Sequence, residues 1–123
     1  MSVLLSLGAI LAFIGVALGA FGAHALKDKF PEPRYEQIWN TAVQYQMYHA
    51  LGIVLVGILS MDALMGSSSL LLWAGILMLA GIVFFSGSLY ILAVTGVKKL
   101  GAITPIGGLL FLVAWILLFI AGF

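Results

Sequence analysis

Two histidines, His24 and His49, are among the few side chains of this sequence that could move a proton or hold a metal ion. His49 follows a polar group made of Thr41, Gln44, Tyr45, Gln46 and Tyr48. Farther along come Ser86, Ser88, Tyr90 and Thr95, then Thr104 directly before Pro105. A histidine titrates near neutral pH and can carry a proton. Metal binding is not expected, because a tetrahedral site takes four ligands and no carboxylate falls at the depth of the two imidazoles. The absence of cysteine removes thiolate chemistry, disulfides and sulfur ligands together. Ser86-Gly87-Ser88 is no nucleophile elbow, since that motif needs a preceding strand and an acid–histidine pair. The expectation is therefore no catalytic, cofactor-binding or metal residue, and no enzyme.

The elements that must carry these residues follow from composition. Of 123 residues, 64% are hydrophobic and 7% charged, against roughly 25% charged in a soluble domain. So few charges cannot cover a water-facing surface, so lipid must solvate most of the outside. Four runs are long enough to span a bilayer as helices, which takes about 20 apolar residues. They cover residues 3–26, 42–61, 70–95 and 102–123, with connections at 27–41, 62–69 and 96–101. The runs are continuously apolar rather than alternating, which excludes a transmembrane barrel. Short connections make neighbouring helices antiparallel. The predicted fold is all-α, a single four-helix transmembrane bundle. The first run is expected to stay uncleaved, because Met1-Ser2 brings no basic start and the run exceeds the roughly 7–15 residues of a signal core.

Six of the nine charged residues lie between Lys27 and Glu36. All five basic residues fall in the first and third connections: Lys27, Lys29 and Arg34, then Lys98 and Lys99. Basic residues accumulate in cytoplasmic loops, which predicts both termini outside. Tyr35, Trp39 and Trp73 are expected at the membrane interfaces, where amphipathic rings collect. Pro31 and Pro33 separate the first helix from the second, and residues 34–40 are expected along the inner surface before the chain turns inward.

Inside lipid, helices associate through close approach at small residues. Gly8, Ala12, Gly15, Gly19 and Gly22 make one smooth stripe on the first helix. Ala74, Gly81, Ser88 and Thr95, each seven apart, make another on the third. Gly107-Gly108 is expected to admit a neighbouring backbone. Thr104 is read as a helix cap with Pro105 in the first turn.

Polar residues gather toward one end of the spans. By a rise of 1.5 Å per residue, Ser86 and Ser88 lie roughly 10–14 Å along the third helix from its inner end, and His49 about 10 Å along the second. His24, Gln44, Tyr45, Gln46, Tyr48, His49, Ser86, Ser88, Tyr90 and Thr104 are thus candidates for one polar layer. Thr41, Gln44, Tyr45, Tyr48 and Gly52 share a helical face, which is expected to point inward, with His49 at its edge and Gln46 farther round. Two readings stay open. The layer is either dry interhelical hydrogen bonding or a small polar cavity open to the cytoplasm beneath a sealed outer half.

Four ordered segments carry a resemblance. They are Gly19–Leu26 (GAFGAHAL), the second-helix set Trp39, Thr41-Ala42, Tyr45-Gln46 and His49-Ala50-Leu51, then Phe85–Tyr90 (FSGSLY), and Gly101–Gly108 (GAITPIGG). Together they resemble the family known as domain of unknown function 423, small bacterial membrane proteins related to the eukaryotic transmembrane protein 256. The resemblance covers essentially the whole chain. It implies four spans and the bacterial cytoplasmic membrane, and no activity.

No Asp, Glu, Lys or Arg lies within a span, whereas ion-coupled transporters generally place one there. The expected function is a non-enzymatic membrane component that binds lipids or partners and supports assembly. The alternative is a carrier or permease for a small neutral solute. Expected partners are membrane lipids and a second copy or another membrane protein, with no nucleic acid and no cofactor.

Overall fold

The computed structural model describes residues 3–123. Met1 and Ser2, which entered the reading of the first span, lie outside the described residues. The described chain is helical. α1 (Val3–His24) and α2 (Pro33–Leu59) form the first hairpin. The third span is composite: α3 (Ser69–Gly81), a π-helical turn (Ile82–Gly87) and α4 (Ser88–Thr95) run on without a break. A short 3₁₀ turn (Lys98–Ala102) leads to α5 (Thr104–Ala121). Four helices are long and apolar enough to cross a membrane.

Local chemistry sets several boundaries. Pro33 occupies the first turn of α2, where the missing N–H costs nothing. From there α2 runs unbroken for 27 residues, about 40 Å, against a hydrocarbon core of ~30 Å. Residues 34–40 are therefore part of the same unbroken helix as the second span, and the first connection is shorter than expected. Ser68 caps α3, its Oγ accepting from Leu71 N at 3.2 Å. Gly96 ends α4 in the left-handed region at φ 72°, which glycine adopts without a Cβ penalty. Thr104 does not cap α5. It lies inside the first turn, with Ile103 at the cap position.

α2 and the third span form the centre, with α1 seated along α2 and α5 along the third span. The contacts run through the smallest residues. A Cβ on Gly8 would meet Ala50 O at 2.7 Å, and one on Gly15 would meet Met47 Sδ at 2.6 Å. Gly22 lies directly against the Trp39 indole, Gly81 against the Phe111 ring and Gly107 against the Phe85 backbone. Ala74 is buried as well. Gly19 is only half-buried, and a Cβ on Gly108 would meet Phe85 Cδ2 at a relaxed 4.0 Å. The core has two apolar tiers. Ile53, Val56, Leu71, Ala74, Met78, Ile82, Phe111 and Ala114 fill the larger. Tyr35, Trp39, Leu92 and Ala93 fill the smaller, beside the basic connections. Tyr35 and Trp39 are thus core residues rather than interface anchors.

Candidate functional site

Between those tiers lies a layer of polar side chains, built around α2. Gln46 is 3% exposed and joins three helices. Its Nε2 donates to the Leu11 carbonyl of α1 at 2.8 Å, and its Oε1 accepts from Tyr90 Oη of α4 at 2.6 Å. Seven residues earlier on α2, Trp39 Nε1 donates to the Leu18 carbonyl of α1 at 3.0 Å. These two carbonyls stand four residues before Gly15 and Gly22. Side chains at 15 and 22 would cover them, since a Cβ on Gly15 comes within 3.4 Å of Gln46 Nε2 and one on Gly22 falls on Trp39 Nε1. The glycine stripe of α1 therefore does more than allow close packing. It uncovers backbone oxygens for donors on α2.

His49 is 5% exposed and has both ring nitrogens engaged. Nδ1 lies 2.8 Å from the Tyr45 carbonyl, and Nε2 accepts from Trp115 Nε1 of α5 at 3.0 Å. A carbonyl can only accept and an indole N–H can only donate. The two partners together assign the hydrogen to Nδ1 and leave Nε2 bare. The ring also stacks on Phe111, with centroids 3.5 Å apart and planes inclined by 8°. No ring nitrogen is left for a metal or a passing proton.

The serines join the remaining elements. Ser86 is fully buried in the π turn, and its Oγ donates to the Ala42 carbonyl at 2.7 Å. Ser88 Oγ lies 2.9 Å from the Phe85 carbonyl and 2.7 Å from Thr104 Oγ1. Thr104 also reaches the Leu100 carbonyl at 3.4 Å. Among the described residues no buried side-chain nitrogen or oxygen lacks a partner, and no group of three potential ligands could hold a metal.

Gln46, His49, Ser86, Ser88, Tyr90 and Thr104 thus come together, and four other candidates do not join them. His24 is exposed on the last turn of α1. Gln44 and Tyr48 are exposed, Tyr48 by 57%. Tyr45 is also exposed, although its ring packs on Phe85 at 4.6 Å. Of the expected inward face of α2, Gly52 is buried and Thr41 half-buried, whereas Gln44, Tyr45 and Tyr48 point outward. The buried residues of α2 are Tyr35, Trp39, Ala42, Gln46, His49, Ala50, Gly52, Ile53, Val56 and Gly57, where small residues let neighbours approach and Gln46 and His49 find partners. Trp115 is the layer member that sequence reading missed. It lies 66 positions from His49, and no local spacing connects them.

Neither principal hollow opens on this layer. The larger, about 850 Å³, lies at the far end between Leu4, Gly57, Met61, Asp62, Ser68 and Leu72. The smaller, about 250 Å³, lies at the basic end between Arg34, Tyr35, Ile38, Leu92 and Lys98. Large apolar side chains cover the rest of the exterior, among them Phe13, Val16, Leu51, Val83, Leu109 and Phe119. Only lipid solvates such a surface.

Four apolar spans around an internally bonded polar layer define a multi-pass helical membrane protein. The family described as "Protein of unknown function (DUF423)" matches residues 18–108. The chain belongs to that family. It is 55% identical over 121 residues to the UPF0382 membrane protein YwdK of Bacillus subtilis, covering 98% of this chain and 96% of that one. It is 49% identical over 124 residues to a UPF0382 membrane protein of Staphylococcus haemolyticus, covering 100% and 97%. A UPF0382 membrane protein of Staphylococcus epidermidis is 52% identical over 122 residues, covering 98% and 95%. No solved structure matches the chain.

Proposed function

We propose that this protein is a non-catalytic membrane component that binds lipid or a partner protein and supports assembly, rather than a solute carrier. One observation supports the reading above all. The polar groups of the layer are consumed by each other and by backbone carbonyls, and neither principal hollow is lined by them. A carrier needs a hydrated site that a solute can enter and leave. Here a solute would have to displace bonds such as Tyr90–Gln46 and Ser88–Thr104. In this proposal both termini face outward and the two basic connections face the cytoplasm, as the distribution of Lys and Arg favours.

The absence of native cysteine makes a direct test available. Ser88→Cys and Lys98→Cys variants in sealed membranes are treated with a membrane-impermeant maleimide. Cys at 98 is expected to react from one face. Cys at 88 is expected to stay unlabelled from both faces and to react only after denaturation. Labelling at 88 comparable to that at 98 would mean a wet layer and return the carrier reading.

A further inference from the structure

The groove at the basic end brings together groups from two distant parts of the chain. Arg34 opens α2, and Lys98 opens the 3₁₀ turn. The two parts lie side by side at Gly96, where a Cβ would be in ordinary contact with Tyr35 Cε2 at 3.8 Å and Pro31 Cγ at 4.0 Å. The Arg34 guanidinium is held in place. Its Nε pairs with Glu32 Oε2 at 2.7 Å, its Cζ lies 5.1 Å from the centre of the Tyr35 ring, and Nη2 is 3.4 Å from Tyr35 Oη. That arrangement leaves Nη1, and one N–H of Nη2, for a further acceptor. Lys98 has no ion pair among the described residues. Glu36, two residues beyond Arg34, is half-buried and is not among the groove-lining residues. Below the two cations the groove wall is apolar, Ile38 on α2 and Leu92 on α4.

An unpaired lysine beside an arginine that shares its charge with Glu32, above apolar side chains at the end of a membrane span, has the chemistry of a lipid headgroup site. We propose that this groove binds one anionic phospholipid, its phosphate between Arg34 and Lys98 and its acyl chain leaving along the half-buried Ile38, past the edge of Leu92. The guanidinium fork suits phosphate oxygens geometrically, and the lysine adds a mobile point charge. The apolar wall favours a lipid over free phosphate. The inference deepens the lipid-binding part of the proposed function.

The test uses the full chain in nanodiscs of equal phosphatidylglycerol and phosphatidylcholine, with retained lipid counted by native mass spectrometry. One phosphatidylglycerol is expected to stay bound. Each lost cation should lower its occupancy about five-fold, read in K98Q and in R34Q/K98Q. A K27Q/K29Q variant, which removes charges from the same end, should leave occupancy unchanged. Equal loss in K27Q/K29Q, no loss in K98Q, or equal retention of phosphatidylcholine would overturn the proposal. Displacement of the lipid by millimolar inorganic phosphate would reassign the groove to free phosphate and also overturn it. Lys98 is exposed, so K98Q stays informative if the double variant misfolds. Failure here leaves the Ser88→Cys result standing, so the two readings fall separately.

Discussion

Gln46 concentrates the physical problem of placing a polar group in hydrocarbon. Its amide must donate and accept at once, and α1 and α4 supply one partner each. Interhelical bonds of this kind contribute about 0.6 kcal/mol on average and rarely above ~1.7. Removing one partner costs more, because a buried group left alone loses about 1–3 kcal/mol. Gln46→Leu should therefore destabilise the bundle by about 2 kcal/mol, chiefly by stranding Tyr90 Oη. Adding Tyr90→Phe should recover part of that loss, which unfolding titrations in mixed micelles would read as a positive coupling. Additive losses would mean that the Tyr90–Gln46 bond contributes nothing. The residue types of the layer were legible in the sequence, because polar side chains stand out against Leu, Ile and Val. Their directions were not. Gln44 and Gln46 are equally polar, and only the partners available on neighbouring helices separate the exposed one from the buried one.

At the level of elements, the joint between the π turn and α5 brings a glycine closest to another helix's backbone. Gly107 lies on the Phe85 backbone, whereas Gly108 is in relaxed contact with a ring edge. Gly107→Ala should destabilise by about 1–3 kcal/mol, as overpacking does, since a backbone cannot rotate aside. Gly108→Ala should be neutral or slightly stabilising, because alanine is the better helix former by up to ~1 kcal/mol. Equal effects at the two positions would show that α5 is seated otherwise. The glycine pair announced a close approach, and hydropathy located all four spans. Neither revealed the wide turn at Ile82–Gly87. Turns with i→i+5 bonding arise where neighbours and side-chain hydroxyls compete for the ladder. Around this turn Ser88 Oγ engages the Phe85 carbonyl, Ser86 Oγ reaches across to the Ala42 carbonyl of α2, and Gly107 of α5 packs on the Phe85 backbone; the α2 and α5 partners become neighbours only in the folded chain.

For the whole molecule, the charge layout predicts orientation. A reporter fused after Phe123 that is active only in the cytoplasm is expected to be silent, and the same reporter placed in the 96–101 connection should be active. The opposite pair of readings would invert the proposed topology and put the basic groove in the other leaflet. The packing order bears on synthesis too. α1 rests mainly on α2, and both donors that tie them, Trp39 and Gln46, act on carbonyls of α1. The first hairpin can thus finish its mutual bonding while the later spans are still on the ribosome. The third span then arrives with Tyr90 to claim the second end of the Gln46 amide and with Ser86 to claim the Ala42 carbonyl.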